Sequence, residues 1–301
     1  MSTLTDEIKR LKEERHAVIL AHNYVRPEVQ DIADFTGDSL ELSIKAKAVN
    51  AEVIVFCGVR FMAETAKLLS PQSMVLLPNS DAGCPMADMA DPEPVANYRK
   101  AHPDAIFVAY VNSTAAVKAQ VDICCTSGNA EKIIQSLPKD REILFLPDRN
   151  LGGNISGKLG VDMDLWPGFC PTHNRVTVEM IEKARAAAPD ALVLVHPECT
   201  PEVVAAADQA LSTGGILKFV RESDAKRFII GTEAGILHRL RNENPGKEFL
   251  PLQPEMICPN MKKITLEDIA RSLRDLTEQI EIAPELREAA VRPILRMLEV
   301  K

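Results

Sequence analysis

Three of the seven cysteines in this 301-residue chain share a context that the other four lack. Cys84, Cys170 and Cys258 each precede a proline, with 86 residues between the first two and 88 between the second and third. Soft thiolates select zinc, copper(I) or iron–sulfur clusters. A structural zinc site is normally closed by four ligands with close cysteine pairs, and the chain has no Cys-x-x-Cys. The spacing therefore favours a 4Fe–4S cluster with one iron free to act as a Lewis acid.

Two further series of polar residues keep the same period. The first comprises the triplets His22-Asn23-Tyr24, Tyr110-Val111-Asn112 and His196-Pro197-Glu198. The second comprises Ser39, Ser127 and Thr213, each 15 residues after the last residue of a triplet. Because three unrelated residue types hold one register, the sequence predicts three copies of one unit. Each copy would supply a thiol, a polar strand end and a hydroxyl.

The polar triplets carry groups suited to acid–base chemistry. Glu198 is the only carboxylate among them and is the best candidate for a general base. Tyr24 and Tyr110 can polarise a carbonyl or transfer protons, and His22 and His196 occupy the same position in two of the triplets. The hypothesis is that Glu198 is the principal base and that Tyr24 and His22 assist, with His196 and Tyr110 also catalytic.

Small hydroxyl-bearing turns follow the triplets. They span 36–39, 126–129 and 212–215, and each starts a predicted helix. Backbone N–H groups and hydroxyls at a helix N-terminus suit a carboxylate or a phosphate. His173, three residues after Cys170, either reaches the ligand or has a simple surface role. The remaining cysteines, Cys57, Cys124, Cys125 and Cys199, are interpreted as core or near-site thiols. His16, His102 and His238 are interpreted as structural.

Strands alternate with helices in each predicted unit, which indicates an α/β fold of three homologous αβα sandwich domains with short parallel sheets. The predicted strands are 16–21, 52–56 and 74–77, then 105–109, 142–146 and 161–165, then 191–195, 227–230 and 248–252, with a further short strand before each hydroxyl turn. The domains are placed at 1–98, 99–186 and 187–301. The last includes a helical tail from Thr265 that breaks at Pro284 and Pro293. Ligands bind at the carboxyl ends of such strands, so a pseudo-threefold arrangement would direct every polar triplet at one central cavity.

The composition excludes several classes of protein. The net charge of −8 and the pI of about 5.4 argue against nucleic acid as a partner, although a small anion could still bind a locally positive site. No apolar run approaches the ~18–20 residues that span a membrane. Residues 1–12 read as a charged amphipathic helix rather than a signal peptide, which predicts a cytoplasmic protein without a disulfide framework.

With these residues in view, the chain resembles the quinolinate synthase family. The matching segments run from about residue 15 to the C-terminus and include Ala21-His22-Asn23-Tyr24, Gly37-Asp38-Ser39, Tyr110-Val111-Asn112-Ser113, Pro147-Asp148-Arg149-Asn150-Leu151-Gly152, Cys170-Pro171-Thr172-His173, His196-Pro197-Glu198-Cys199, Ser212-Thr213-Gly214, Gly231-Thr232-Glu233 and Asn260-Met261-Lys262-Lys263. Some members carry a Cys-x-x-Cys-x-x-Cys near the C-terminus, and this chain lacks it.

The resemblance implies an enzyme of NAD biosynthesis that condenses iminoaspartate with dihydroxyacetone phosphate to quinolinate, losing phosphate and two waters. It implies one 4Fe–4S cluster per chain, held by Cys84, Cys170 and Cys258, and a functional link to L-aspartate oxidase. The substrate site it implies comprises His22, Ser39, Tyr110, Asn112, Ser127, His196, Glu198, Ser212 and Thr213, with Tyr24 and His173 also there.

Three other functions remain as alternatives. An aconitase-like hydro-lyase shares the three-cysteine cluster and would dehydrate a hydroxy acid without a triose phosphate. A non-catalytic iron–sulfur sensor or carrier would not need histidine, tyrosine, glutamate and hydroxyls at three strand ends. A zinc or structural scaffold would be colourless.

Overall fold

The computed structural model describes residues 3–300, which form three four-stranded sheets. All strand pairs within these sheets are parallel. Across each sheet the order of the unit's strands is second, first, third, fourth. The same order recurs in all three sheets. Parallel strands need crossover connections, and helices supply them here. The predicted α/β class and the three αβα units are therefore confirmed, whereas the domain boundaries stay a prediction.

The first unit shows why short apolar runs become central strands. All five side chains of Val53–Cys57 are buried, as expected for a strand covered by helices on both faces. The elements of this unit are α1 (Leu4–Glu14), β1 (Ala17–His22), α2 (Pro27–Ile32), β2 (Phe35–Gly37), α3 (Ser39–Ala48), β3 (Val53–Cys57), α4 (Arg60–Leu69), β4 (Met74–Leu76) and α5 (Pro85–Asp88).

The second unit repeats this order from α6 onwards. Asp91 caps α6 with its side chain, and the following strand Ile106–Tyr110 is buried throughout. Its elements are α6 (Pro92–Ala101), β5 (Ile106–Tyr110), α7 (Ala115–Lys118), β6 (Ile123–Cys125), α8 (Ala130–Gln135), β7 (Ile143–Leu146), α9 (Arg149–Leu159), β8 (Asp164–Leu165) and α10 (Pro171–Asn174).

The third unit begins at α11, which Thr177 caps. Its elements are α11 (Val178–Ala187), β9 (Leu192–Val195), α12 (Pro201–Ala206), β10 (Gln209–Ala210), α13 (Thr213–Glu222), β11 (Arg227–Gly231), α14 (Ile236–Glu243), β12 (Glu248–Pro251) and a 3-10 turn at Asn260–Lys262. The short turn helices after Cys84, Cys170 and Cys258 close all three units in the same way.

The tail forms α15 (Leu266–Asp275) and α16 (Pro284–Glu299), and it packs on the first two units. Helix α15 contacts α1, and α16 contacts α4, α7 and β6. Between them the backbone at residues 278–280 pairs with the exposed edge of β4, covering an edge that would otherwise be open. The longest helix of residues 3–300 has 16 residues, and none there is both long and apolar enough to cross a bilayer.

Three details differ from the sequence-based expectation. Pro293 does not break the tail helix: α16 continues through it with Pro293 buried, and the packing of α16 against α4, α7 and β6 offsets the hydrogen bond that proline removes. The fourth strand of the second unit is only two exposed residues long instead of 161–165, because Gly160 ends α9 in the left-handed conformation and residues 161–163 form no ladder. The first strand begins at Ala17 and includes His22, since His16 has a φ of 46° that no strand accommodates.

Candidate active site

The carboxyl ends of the three sheets enclose one cavity. Its free space, counted with its open mouth, is about 680 Å³. The residues lining it come from all three units and include His22, Tyr24, Ser39, Tyr110, Asn112, Ser127, His173, His196, Glu198 and Thr213, together with Cys84, Cys170 and Cys258. The predicted convergence of three strand-end sets on one cavity is what the fold produces. Ser212 is the exception: its hydroxyl accepts from the N–H of Gly215 and caps α13 instead of lining the cavity.

Glu198 lies at the centre of the polar groups and is buried. The Tyr110 hydroxyl donates to Glu198 Oε1 at 2.7 Å, and Nδ1 of His173 lies 2.7 Å from Oε2. Burial alone would raise the pKa of Glu198, but His196, His173 and the two hydrogen bonds outweigh it and hold that pKa below its usual range. The carboxylate is therefore ionised at neutral pH and stays aligned by donors from the second unit.

A continuous hydrogen-bonded chain leads from Glu198 to Tyr24. Nε2 of His173 lies 2.8 Å from the Thr232 hydroxyl, which lies 2.6 Å from the Tyr24 hydroxyl. The Tyr24 hydroxyl also lies 2.7 Å from Oγ1 of Thr213. Together with Tyr110 these residues come from all three units, so a proton released at one unit has a hydrogen-bonded path to the others.

His22 and His196 have the same geometry at pseudo-equivalent strand ends. Nδ1 of His22 accepts the backbone N–H of Tyr24 at 3.2 Å, and Nδ1 of His196 accepts that of Glu198 at 3.3 Å. Burial lowers the pKa of His22 to about 3 and that of His196 to about 4. Both imidazoles are neutral at pH 7, and because Nδ1 accepts, Nε2 carries the proton as a donor.

The two active-site tyrosines are also protonated. Burial raises the pKa of Tyr24 and of Tyr110 well above the usual value, and the Glu198 carboxylate adds to both shifts. At neutral pH the cavity thus presents neutral O–H and N–H donors around the carboxylate of Glu198, and the carboxyl groups of Asp38 and Glu233 also line it. Such a site can donate to carbonyl and carboxylate oxygens of a substrate and can accept a proton at Glu198.

The hydroxyl turns lie at helix N-termini, as predicted. Ser39 is the first residue of α3 and Thr213 the first of α13, and both helices have ten residues. Asp38 caps α3 and also accepts the N–H of Gly214 at 3.1 Å, which ties the turn of the first unit to that of the third. Helix N-termini with hydroxyl groups beside them favour anionic ligands such as carboxylate or phosphate.

The three Cys-Pro sequences form the same local structure. Cys84 and Cys170 each precede a helical turn that begins at the proline, whereas the 3-10 turn after Cys258 begins at Asn260. In all three, backbone N–H groups two or three residues further on bond to the sulfur. These N–H groups stabilise thiolates, yet burial raises the pKa of all three thiols, and the negative charge of Cys84 and Cys258 on one another adds to the shift at Cys84. Three half-buried thiols, one from each unit, converge on this cavity and would lose their protons on binding a metal, so the donor set fits a bound metal group.

The spread of the thiols is informative about that group. Four ligands that are 2.3 Å from one zinc ion lie about 3.8 Å from each other. Within residues 3–300, the one set of three metal-ligand atoms that all lie within 4.8 Å of one another is Cys170, His173 and Glu198, which excludes Cys84 and Cys258. The three cysteines are thus too widely spaced for a single ion, and a multi-iron cluster suits them better.

The remaining cysteines and histidines have the structural roles predicted for them. Cys57, Cys124, Cys125 and Cys199 are fully buried in the core. His102 pairs with Glu142 and His238 with Asp31 at the surface, away from the cavity.

Sequence reasoning singled out no role for residues at the ends of the third strands. Thr232 links Tyr24 to His173, and Glu233, which is buried, accepts the backbone N–H of Cys258 at 3.1 Å and pairs with Lys262 at 2.9 Å. Asp148 in the second unit similarly accepts the backbone N–H of Cys170. Their places at the carboxyl ends of β7 and β11 could have identified them, since that is where ligands bind in parallel sheets.

Comparison with known proteins gives one family across the chain. The family model described as quinolinate synthetase A protein matches residues 6–299. Quinolinate synthase of Geobacter metallireducens is 53% identical over 298 residues, which cover 99% of this chain and 98% of that protein. Quinolinate synthase of Alkaliphilus metalliredigens is 49% identical over 301 residues, 100% and 99% of the two chains. That of Thermodesulfovibrio yellowstonii is 51% identical over 294 residues, 97% of each.

Proposed function

The chain belongs to the quinolinate synthetase A family, whose members make quinolinate for NAD biosynthesis, and we propose that it condenses iminoaspartate with dihydroxyacetone phosphate on a 4Fe–4S cluster. The observation that carries this proposal is the single cavity where three Cys-Pro thiols meet an ionised Glu198 and neutral histidine and tyrosine donors. The proposal brings with it a functional link to an L-aspartate oxidase, which would supply the imine.

The overall reaction conserves oxidation state. One iminoaspartate and one dihydroxyacetone phosphate give one quinolinate, one phosphate and two waters, with every atom accounted for and no external oxidant. A redox role for the cluster is therefore unnecessary, and when bound it supplies a Lewis-acidic iron that can make a hydroxyl a better leaving group. Cys84, Cys170 and Cys258 would hold it.

The substrates are anions, and the cavity offers matching donors. The hydroxyls of Ser39, Ser127 and Thr213, with the helix N-termini beside them, suit carboxylate and phosphate oxygens. Nε2–H of His22 and of His196 can donate to a substrate carbonyl without adding a positive charge, because burial keeps both imidazoles neutral. These residues would bind and orient the two substrates before bonds form.

Proton transfers are the task of the central network. Glu198 is ionised and accepts a substrate proton, while Tyr110 and His173 hold the carboxylate in place. Tyr24 is a protonated hydroxyl connected to His173 through Thr232, so it can donate to a developing alkoxide and be reprotonated along that chain. Asn112, buried at the second strand end with an unpaired Oδ1, is placed to accept a donor group of the substrate.

The test is a quinolinate assay on anaerobically purified protein, with each substrate omitted in turn. We expect quinolinate and phosphate in equal amounts when both substrates are present, and neither product when one is omitted. Dehydration of a hydroxy acid without triose phosphate would favour a hydro-lyase instead. Binding of both substrates without turnover would favour the sensor.

A further inference from the structure

The loop that carries Glu198 is held by a helix of the preceding unit. Nδ2 of Asn154 donates to the carbonyl of Pro197 and to that of Cys199, both at 2.9 Å. Nδ2 of Asn150 donates to the carbonyl of Glu198 itself at 3.1 Å. The two asparagines lie one turn apart on α9, so one face of that helix fixes three successive backbone carbonyls.

The same feature occurs at the pseudo-equivalent strand end of the first unit. Nε2 of Gln30 donates to the carbonyls of Asn23, at 3.1 Å, and Val25, at 2.9 Å, which flank Tyr24 as Pro197 and Cys199 flank Glu198. It also donates to the carbonyl of Gly235 in the third unit, at 3.0 Å. Gln30 comes from α2 of its own unit, whereas Asn154 comes from a neighbouring unit. The chemistry is repeated although the elements that supply it differ.

The second unit has a comparable donor. The ammonium group of Lys118, which is fully buried, donates to the carbonyl of Ser113, the residue after Asn112. Each strand end therefore has a side-chain nitrogen on the carbonyl that follows its last polar residue. Glutamine, lysine and asparagine side chains thus donate to the carbonyl oxygen at the equivalent backbone position of the three units. The packing of secondary structure alone does not require such a bond.

A side-chain amide is well suited to this task. It has two N–H groups in a fixed plane, so bonding both of them to carbonyls on either side of one residue restricts that residue's backbone dihedrals. A buried carbonyl that loses its donor is left without a hydrogen-bond partner, which makes the arrangement hard to displace. Glu198 must reach both Tyr110 and His173 of the second unit. Asn150 and Asn154, from that same unit, hold the backbone of Glu198 in a fixed position relative to them.

We propose that Asn154, with Asn150, and Gln30 are positioning residues that fix Glu198 and Tyr24, respectively, for proton transfer. This inference rests on the proposed function for its catalytic consequence, but its structural part does not. None of the three amides contributes an atom to the cavity lining. They act through the backbone of the residues that do.

The test compares Asn154→Ala and Gln30→Ala by hydrogen exchange, read by mass spectrometry on peptides 194–201 and 20–26 of the cluster-loaded protein. We expect Asn154→Ala to speed exchange in 194–201 and not in 20–26, and Gln30→Ala to speed exchange in 20–26 and in the adjoining turn at Gly235 but not in 194–201. In the quinolinate assay each variant should lose kcat by about 10- to 100-fold with little change in KM, as expected for misplaced reacting groups. Asn244→Ala is the control, because the Asn244 amide bonds only to Leu240 of its own helix end.

Faster exchange throughout the chain in either variant, or a loss of kcat without faster exchange in the matching peptide, would overturn the proposal. So would unchanged exchange and unchanged kcat. Asn154→Asp, which has the same shape but lacks both N–H donors, should behave as Asn154→Ala does, and normal behaviour would also overturn it. If each variant speeds exchange at its own strand end and not at that of the other variant, while the wild-type protein makes no quinolinate, the positioning role of the amides is supported and the proposed function is refuted.

Discussion

Glu198 combines two properties that rarely occur together in one buried carboxylate. It is ionised at neutral pH, because the hydrogen bonds from Tyr110 and His173 oppose the cost of burial, and it faces the cavity. A base with a lowered pKa accepts a proton only transiently. The neighbouring His173 can pass that proton on through Thr232, so Glu198 works as one member of a network.

Glu198→Gln tests this role directly. Glutamine keeps the shape and can still accept from Tyr110, but it cannot take up a proton, so we expect kcat to fall by about 100-fold or more. Quinolinate formation and iron content are measured together. Glu202→Gln, exposed on α12, is the matched control and should be normal. Normal turnover of Glu198→Gln with full iron content would show that another group is the base.

The buried histidines predict a pH dependence of stability. The pKa of His22 is about 3 and that of His196 about 4 in the fold, against about 6.5 in the unfolded chain. His22 faces His196, Glu198 and Lys262, and His196 faces Glu198 and His173. Below pH 6.5 the unfolded chain binds protons that the folded chain excludes. As the pH is lowered from 6.5, the free energy of unfolding should therefore decrease by about 1 kcal/mol per pH unit for each histidine, until the pKa of that histidine in the fold is reached.

Denaturant unfolding at pH 7, 6 and 5 measures this effect in the wild type and in His22→Gln. The variant should lose less stability than the wild type over this range, since one of the two proton-excluding groups is gone. Parallel pH profiles for the wild type and His22→Gln would mean that position 22 does not contribute. The lowered pKa of Glu198 adds a further loss only below its ordinary pKa of 4.5.

At the scale of elements, the turn after β11 packs three polar groups against one glycine, Gly235. A Cβ at Gly235 would lie 2.7 Å from the Tyr24 carbonyl oxygen, 2.8 Å from Glu233 Oε2 and 2.8 Å from Lys262 Nζ. The same carboxylate of Glu233 accepts the N–H of Cys258. This turn therefore connects the first strand end to the third Cys-Pro turn, and only glycine fits it.

Gly235→Ala should lower the free energy of unfolding by about 1–3 kcal/mol through this overlap, and it should lower iron content as Glu233 is displaced from Cys258. Gly157→Ala is the opposite case, because a Cβ there meets nothing within 4 Å inside α9. Alanine should raise stability there by up to about 1 kcal/mol. Denaturant midpoints and iron analysis check both. Equal effects of the two substitutions would contradict the packing described for Gly235.

At the scale of the whole molecule, three units of one design share one site, and this much could be predicted from the sequence. The Cys-Pro period and the 15-residue offsets are local patterns repeated at long range, so they predicted both the sheets and the convergence of their ends. Details that depend on neighbouring units were not predictable in the same way. The Asn154 bonds to Pro197 and Cys199 join residues more than 40 positions apart that no period relates.

Other differences have local physical causes. Pro293 reads as a helix break, yet proline costs a buried helix only one hydrogen bond and some crowding, and the contacts of α16 with α7 and β6 accompany an unbroken helix. Ser212 was predicted to bind substrate; its hydroxyl accepts the N–H of Gly215 and caps α13, and its contact with substrate stays a prediction. In both cases the residue type fits two roles, and only the tertiary arrangement distinguishes them.

The most direct test of the shared central site is iron, acid-labile sulfide and zinc per chain, with a visible spectrum, on anaerobically purified protein. We predict about four irons and four sulfides per chain and a broad brown absorption, because Cys84, Cys170 and Cys258 converge but are too widely spaced for one ion. A colourless protein with a single zinc, held by Cys170, His173 and Glu198, would contradict the cluster and the dehydration that depends on it.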